Sequence, residues 1–288
     1  MPAIVMNGIE LSKHRRARLA AEMATLGGPP VCLATVLVGD DAPSRRYTVS
    51  KRKQAGEVGM SSRHVELPAT ATQAEVEEAV GELVADPAVH AILVQMPLPD
   101  GLDADRVLAL IPAAKDVDGL TPASLGLLVR SQPGLVPCTP LGVMRLLEHY
   151  DVPVKGRRAL VLGRSTLVGL PVALLLAAKG VDATVTIAHS RSHDLAGLCR
   201  EADILVSAVG QAAIVRGDWV KPGAAVLDVG ISRTAEGIVG DVHQAEVAEV
   251  AGWLTPMPGG TGAMTVACLL ENTLAAARLQ GVVPPADR

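Results

Sequence analysis

The chain has 288 residues, enough for two domains or one large one, and nearly half are hydrophobic, so a substantial core is available. A net charge of −4 argues against a general nucleic-acid-binding protein. No apolar run reaches the ~18 residues expected of a membrane span, and we see no signal peptide. The four cysteines are scattered without a CxxC pair, so we expect no metal site or disulfide framework, but reduced thiols in a cytoplasmic protein.

Strands and helices are predicted to alternate in the first half of the chain. The patterns predict strands at 31–38, 63–67 and 90–94, and helices at 44–58, 73–84 and 103–110. The segment 131–140 contains three prolines and a glycine, so we expect it to carry the chain between two domains. Thr139 is then the predicted N-cap of a helix that runs through Tyr150.

The segment 158–171, RALVLGRSTLVGLP, predicts a buried strand, a Gly/Ser turn and the first turn of a helix. Such a unit directs backbone N–H groups and a helix dipole towards a phosphate. Gly163 and Gly169 bracket the turn, but the middle glycine of a dinucleotide fingerprint is missing. An ordinary strand-to-helix turn therefore stays possible at this point.

Further apolar segments complete the pattern of the second half. Strands are predicted at 181–188, 203–208 and 224–229, and a long apolar helix at 264–279 could pack back on the first domain. Strands that alternate with helices imply a parallel sheet, and so an α/β fold.

The end of the strand at 181–188 indicates which dinucleotide would bind. Enzymes that use NAD usually carry an acid there to hold the ribose 2′-hydroxyl, whereas this chain has His189, Ser190 and Arg191. Arg164 and Arg191 instead offer positive charge for a 2′-phosphate. The sequence therefore favours NADP.

Several polar residues are placed for chemistry. Tyr47 and Lys51 lie four residues apart on one predicted helix, where the lysine could transfer protons and the tyrosine could stack on a planar ring. Gln95 follows a strand at the sheet edge where α/β proteins build their sites. Asp118 lies in an Asp-rich turn, and its carboxylate could accept hydrogen bonds from an amino-pyrimidine edge. Each feature also has an alternative interpretation. Tyr47 and Lys51 could lie on an exposed basic helix, Gln95 could simply cap its strand, and Asp118 could belong to a plain turn.

A loop at 256–262, PMPGGTG, leads into the last predicted helix. Its glycines permit close approach of the backbone to a ligand, so Pro258 and Gly259 are candidate substrate contacts. The alternative is a plain interdomain loop.

Taken together, these segments resemble the bifunctional methylenetetrahydrofolate dehydrogenase/methenyltetrahydrofolate cyclohydrolase family. The resemblance runs in order over nearly the whole chain. It rests on seven segments: VGDDAPSRRYTVSKRKQAGEVGM at 38–60, VQMPLPDGL at 94–102, KDVDGLTP at 115–122, PCTPLGVMRLL at 137–147, GRSTLVGLP at 163–171, ATVTIAHSRS at 183–192 and PMPGGTGAMTVACLLENT at 256–273.

The resemblance implies two α/β domains around a cleft, a folate-binding domain and a Rossmann-like parallel-sheet domain that binds NADP. We place the first at 1–138 plus 265–288 and the second at 139–264. It also implies a soluble homodimer in one-carbon metabolism, acting on tetrahydrofolate derivatives and serving purine biosynthesis. In the family, the residue matching Lys51 is the main catalytic residue of the cyclohydrolase step, and the one matching Gln95 tunes it. The matches to Tyr47 and Asp118 lie against the folate and hold the pterin.

The resemblance also assigns the cofactor contacts and marks four departures from the family pattern. The assigned cofactor residues are Gly163, Arg164, Ser165, Val168, Gly169, Ser190, Arg191, Ile231 and Thr265. The departures, which we expect to alter the folate pocket, are Leu120, Thr121, Thr261 and Ala263.

Overall fold

A computed structural model of the chain describes residues 2–235 and 237–285. The chain divides into two compact units. The six-stranded unit comprises Met1–Lys13 and Thr139–Thr265, and the three-stranded unit comprises His14–Cys138 and Val266–Arg288. Residues 1–13, which we had placed in the first domain, group with the six-stranded unit because a strand, β1 (Ile4–Val5), pairs with residues 253–254 of its sheet.

The three-stranded unit is a small parallel sheet in the order β3-β2-β4 with helices around it. The side chains of the central strand, β2, are all buried from residue 33 to residue 38, so this strand lies in the core. Its elements, in chain order, are α1 (Gly8–Thr25), β2 (Cys32–Val38), α2 (Ala42–Glu57), β3 (Ser61–Leu67), α3 (Gln73–Ala85), β4 (Ala91–Val94), α4 (Ala104–Ala109) and α5 (Pro122–Val129).

The six-stranded unit follows from residue 139. Its elements are α6 (Cys138–His149), β5 (Arg158–Leu162), α7 (Gly169–Ala177), β6 (Thr184–Ala188), α8 (Leu195–Glu201), β7 (Ile204–Ser207), a 3-10 helix (Gly217–Trp219), β8 (Ala225–Asp228), β9 (Ser232–Thr234), β10 (Gly237–Val239), α9 (Gln244–Ala248), β11 (Trp253–Leu254) and α10 (Thr261–Leu279). The unit boundaries fall within α1 and α10, which therefore contribute residues to both units.

The larger sheet is parallel throughout, in the order β1-β11-β8-β7-β5-β6. From β5 the chain first adds β6 on one side and then β7 on the other. The strand order therefore reverses between β5 and β7, and open α/β sheets bind ligands beyond the carboxyl ends of the strands at such a reversal.

The structure confirms the α/β class and the parallel sheet but differs from the sequence predictions in detail. The helix after the proline-rich segment begins at Cys138, so Thr139 lies inside it and is not its N-cap. The last helix begins at Thr261, three residues before the predicted start at Met264. Within the described residues, no helix is long and apolar enough to cross a membrane.

Candidate active site

Lys51 and Gln95 meet in the three-stranded unit. Lys51 lies on α2, whose N-terminus is capped by the Asp41 carboxylate accepting from the Ser44 N–H at 2.8 Å. Gln95 directly follows β4, and its N–H donates to the Val36 carbonyl at 2.9 Å. The Lys51 Nζ donates to the Gln95 Oε1 at 2.9 Å. The Gln95 Nε2 donates to the Met96 carbonyl at 2.8 Å, which fixes the amide with its oxygen towards the lysine.

Asp118 lies beside this pair. The preceding chain runs alongside β4, with the Ile92 N–H donating to the Lys115 carbonyl at 2.8 Å, so Asp118 comes level with the end of the strand. Burial raises the pKa of the Asp118 carboxyl above its usual range, while the nearby charge of Lys51 works in the opposite direction. The structure thus brings Lys51, Gln95 and Asp118 together.

Cys138 and Asn272 support Asp118, and the sequence reasoning assigned neither to the site. The buried Cys138 thiol donates to the Val117 carbonyl at 3.5 Å, and its proximity to Asp118 limits the rise in the pKa of that carboxyl. The Asn272 side chain, on α10, donates to the carbonyls of Val117 at 2.9 Å and Val136 at 2.7 Å. One buried amide thereby ties together the segments that carry Asp118 and Cys138.

Tyr47 lies one turn before Lys51 on α2, and its side chain is 54% exposed. An exposed phenol ring is available to a planar ligand. The alternative interpretation, an exposed basic helix, fits Arg45 and Lys53 of α2 but not Lys51. Arg45 pairs with Glu66 at 2.5 Å and Lys53 is 75% exposed, whereas Lys51 is half-buried and bonded to Gln95.

Thr121, one of the departures from the family pattern, has a structural role. Its hydroxyl accepts from the Ser124 N–H at 3.1 Å and so caps α5. Its own N–H donates to the buried Asp116 carboxylate at 2.8 Å. The side chain is 1% exposed, so its contribution to a pocket is through the position of the turn. The neighbouring Leu120 is half-buried.

The strand–turn–helix of the six-stranded unit lies at the chain reversal between β5 and β7. Gly163 has a φ of +112°, and a Cβ there would lie 2.4 Å from the Ala208 carbonyl oxygen. A Cβ on Gly169 would lie 2.3 Å from the Gly163 oxygen. Only glycine fits at both positions, so the turn is tighter than an ordinary strand-to-helix connection requires.

Ser165 organises the start of α7. Its hydroxyl accepts from the N–H groups of Val168 at 3.2 Å and Gly169 at 3.4 Å. Residues 164–167 are exposed, so this turn presents its backbone to solvent next to a helix N-terminus. The arrangement fits a phosphate group, as the dinucleotide interpretation of the turn predicts.

Two arginines accompany this turn. Arg164 lies within it, and Arg191 follows β6 next to Ser190. The two arginines and Ser190 are exposed. The turn after β6 is fixed by the Ser192 hydroxyl, which accepts from the His189 N–H at 3.1 Å, and by the Arg191 N–H, which donates to the His189 Nδ1 at 3.2 Å. Among the described residues, neither guanidinium has an ion-pair partner, so both are available to an anionic ligand.

The remaining predicted contacts lie in the same unit. Ile231 follows β8 and is 52% exposed, and the Thr265 hydroxyl on α10 lies 3.5 Å from that of Thr139. Pro258 follows a cis peptide bond, and the Gly259 carbonyl accepts from the Gly8 N–H at 2.9 Å. The loop at 256–260 thus packs against the start of α1.

Thr261 and Ala263, the other two departures, lie at the start of α10. Thr261 is buried, and its hydroxyl donates to the Asp228 carbonyl at 3.2 Å, which joins the start of this helix to the end of β8. Ala263 is half-buried.

The fold and sites define a two-unit α/β protein with a dinucleotide-type sheet in one unit and a Lys/Gln/Asp cluster in the other. Among the described residues, no group of three or more His, Cys, Asp or Glu side chains could hold a metal ion. A parallel sheet with a glycine turn at its chain reversal is typical of nucleotide-dependent enzymes.

Comparisons with known proteins identify the family. Residues 6–118 match the tetrahydrofolate dehydrogenase/cyclohydrolase catalytic domain, and residues 137–281 match the NAD(P)-binding domain of the same family. A bifunctional protein FolD from Acidiphilium cryptum is 55% identical over 96% of this chain and 99% of its own length. The chain belongs to the tetrahydrofolate dehydrogenase/cyclohydrolase family.

Solved structures agree with this assignment. The bifunctional FolD methylenetetrahydrofolate dehydrogenase/cyclohydrolase from Campylobacter jejuni superposes with a TM-score of 0.92 at 40% identity, covering 96% of this chain and 99% of the other. A FolD from Trypanosoma brucei, solved with NADP cofactor and an inhibitor, has a TM-score of 0.90 at 40% identity and covers 98% and 99%.

Proposed function

We propose that this protein oxidises 5,10-methylenetetrahydrofolate to 5,10-methenyltetrahydrofolate with NADP and then hydrolyses the product to 10-formyltetrahydrofolate. The observation that carries the proposal is the Lys51 Nζ to Gln95 Oε1 hydrogen bond beside Asp118, in a chain of this family. The alternative is a dehydrogenase with weak or absent cyclohydrolase activity.

The first step needs alignment more than acid–base chemistry. The methylene carbon lies between two folate nitrogens, which delocalise the positive charge that remains when hydride leaves. Bound NADP supplies the hydride acceptor. The protein's part is to hold the donor carbon at the right distance and orientation. We assign this to the exposed ring of Tyr47 and to the loop containing Pro258 and Gly259.

The second step needs proton transfer. Water adds to the cationic methenyl carbon and loses one proton. The bond from that carbon to N5 then breaks as the remaining hydroxyl proton leaves to form the formyl C=O, and N5 takes up a proton. Lys51 is the group we assign to this transfer, because the residue is half-buried and its Nζ is oriented by one defined acceptor. Gln95 is assigned the supporting role, since its neutral amide oxygen accepts from the Lys51 Nζ and so orients the amine.

Asp118 is proposed to hold the pterin. A carboxylate accepts hydrogen bonds from the amino group and ring N–H of an amino-pyrimidine edge. Burial makes the ionised form of Asp118 costly and raises its pKa. Donors on the ligand would offset that cost, so binding and ionisation of Asp118 support each other.

NADP is proposed to bind in the six-stranded unit. Gly163, Ser165, Val168 and Gly169 would surround the pyrophosphate, while Arg164, Ser190 and Arg191 would contact the 2′-phosphate. Ile231 and Thr265 are the proposed contacts for the rest of the cofactor. The exposed guanidinium groups, which have no ion-pair partner in the described part of the chain, favour the phosphorylated dinucleotide over NAD.

The test is a pair of assays on the purified protein. Initial rates of methylenetetrahydrofolate oxidation are compared with NADP and NAD, and methenyltetrahydrofolate hydrolysis is followed separately without nucleotide. We expect reduction of NADP, slower reduction of NAD, and enzymatic hydrolysis. Oxidation without hydrolysis would establish the alternative, and reduction of neither nucleotide would contradict the proposal.

We also propose that the protein is a cytoplasmic homodimer that supplies one-carbon units for purine biosynthesis. The family resemblance and the pattern of scattered cysteines support this proposal. Sedimentation equilibrium would test the oligomeric state, and a monomer at micromolar concentration would contradict it.

A further inference from the structure

Two aspartates of the six-stranded unit are fully buried yet have no part in the chemistry described above. Asp228 ends β8 and is 1% exposed, and Asp241 follows β10 and is 0% exposed. Buried carboxyl groups are costly unless hydrogen bonds satisfy them. Their partners therefore indicate what the two side chains are there to hold.

Asp241 holds the segment that leaves β7. Its Oδ2 accepts from the Ser207 hydroxyl at 2.9 Å and from the Val209 N–H at 2.8 Å, and its Oδ1 accepts from the Gln211 N–H at 2.8 Å. All three partners donate, so the carboxylate acts only as an acceptor. One side chain thus fixes the backbone at both Val209 and Gln211.

Asp228 in turn holds Asp241. Its Oδ1 accepts from the Asp241 N–H at 2.9 Å, and its Oδ2 accepts from the Val242 N–H and the Gln244 Nε2, both at 3.2 Å. Asp228 is itself in register with Ser207 on the neighbouring strand. The two carboxylates therefore form a chain of support from β8 through Asp241 to the end of β7.

Glycines make this close packing possible. A Cβ on Gly230 would lie 2.0 Å from the Asp241 Oδ1, and a Cβ on Gly240 would lie 1.9 Å from the Asp228 Oδ2. Asp241 therefore packs directly on Gly230, which follows β8, and Asp228 packs directly on Gly240, which follows β10. Any larger residue at 230 or 240 would displace a carboxylate.

The segment that Asp241 holds borders the dinucleotide turn. β7 lies next to β5, across the chain reversal. Ala208 follows β7, and a Cβ on Gly163 would lie 2.4 Å from the Ala208 carbonyl oxygen. The Gly210 carbonyl accepts from the Ser232 hydroxyl at 3.0 Å, so the segment also contacts the chain that follows Ile231. Residues 208–211 thus connect two parts of the proposed cofactor site.

We propose that Asp241, supported by Asp228, is a positioning residue that holds residues 208–211 in the conformation that NADP binding requires. The inference rests on the proposed function of the six-stranded unit. It places the role in cofactor binding alone, because Lys51, Gln95 and Asp118 belong to the three-stranded unit.

The test compares Asp241→Asn and Ser207→Ala with the wild type. An Asn amide must direct its NH2 at a donor, so Asp241→Asn loses at least one hydrogen bond to a charged acceptor and should raise the KM for NADP at least about tenfold. Ser207→Ala removes one of the three bonds and should raise this KM by about threefold to tenfold. Methenyl hydrolysis, measured without nucleotide, should stay within about twofold of wild type in both variants.

Asp218→Asn is the matched control, because Asp218 is exposed in the same unit and should leave both activities unchanged. An unchanged KM for NADP in Ser207→Ala and Asp241→Asn would overturn the proposal. So would an equal loss of both activities in Ser207→Ala, since this would indicate general destabilisation. If Asp241→Asn does not fold, Ser207→Ala alone decides. Failure of wild-type protein to reduce NADP would instead overturn the proposed function.

Discussion

At the scale of single residues, the charge of Lys51 acts on the carboxyl of Asp118. Burial raises the pKa of the Asp118 carboxyl, and the charge of Lys51 opposes the rise. The same lysine is held by the Gln95 Oε1. Under the proposed roles, a substitution at Lys51 would affect proton transfer directly and pterin binding through Asp118.

Replacing Lys51 separates the two proposed reactions. Lys51→Met removes the proton-transferring group, so we expect methenyl hydrolysis to fall by about 10²-fold or more while oxidation is partly retained. Both rates are measured on one preparation. The control is Lys53→Met, which removes a lysine whose side chain is 75% exposed on the same helix and should alter neither rate. An equal fall in both rates for Lys51→Met would contradict the role of this lysine.

Arg164 is expected to determine the choice of nucleotide. Arg164→Ala removes a charge-assisted contact to the 2′-phosphate and should raise the KM for NADP by about tenfold or more, with little change for NAD. Arg200→Ala is the control, since this guanidinium lies on α8 and contacts Asp194 and Asp218 of the protein. An equal increase in the KM for NAD and the KM for NADP would show that Arg164 does not contact the 2′-phosphate.

At the scale of elements, the tight turn between β5 and α7 makes a clear prediction. Gly163→Ala places a Cβ against the Ala208 oxygen at a φ of +112°, so the turn must open, at a cost of about 1–3 kcal/mol. We expect a lower melting temperature and weaker NADP binding, measured by calorimetry.

Gly81→Ala is the control for this prediction. Gly81 lies inside α3 with open space around it, so alanine should stabilise that helix by about 0.5–1 kcal/mol. A Gly163→Ala protein with wild-type stability and NADP affinity would mean that the turn does not need its glycine.

Long elements with clear periodicity were predictable from the sequence, and very short ones were not. The bounds of β2, β4 and β7 are each within one residue of the prediction, because continuous apolar runs bounded by turns mark buried strands. β1 and β11 have two residues each, so no period is visible in them. Helices α5 and α9 and the β9–β10 hairpin were also missed, the hairpin because its strands have only three residues each and lack a buried face.

The site shows the same limit. Lys51, Gln95, Asp118 and the glycines of the turn could be predicted, because each lies in a segment with a known local pattern. Asp241 was missed because its partners at 207–211 lie some thirty residues earlier in the chain. The available signal was a pair of short segments of the same composition, DVG at 228–230 and GDV at 240–242, in which each aspartate lies within two residues of a glycine.

At the scale of the whole molecule, Asp228 links stability to pH. Burial, together with the neighbouring Asp241, raises the pKa of Asp228 to about 7, whereas an unfolded aspartate titrates near ~3.9. Between these values the folded state binds more protons than the unfolded state. Stability is therefore gained as the pH falls and lost as it rises through this window, by on the order of 1 kcal/mol per pH unit.

Urea unfolding between pH 4.5 and 7 (about the range between the two pKa values) measures this contribution. Asp228→Asn should flatten the pH dependence relative to the wild type, whatever its absolute stability. Asp218→Asn, an exposed control, should keep the wild-type slope. Equal slopes in all three proteins would mean that Asp228 titrates normally in the folded state.

The pairing of β1 with β11 has a consequence for how the protein is made. Ile4 pairs with Trp253, so β1 leaves the ribosome roughly 250 residues before the strand with which it pairs. At translation speeds of about 5–20 residues per second, β1 waits for some tens of seconds without its partner. During that time the two exposed apolar residues of β1 are open to other contacts. This edge of the larger sheet can therefore form only after β11 has been synthesised.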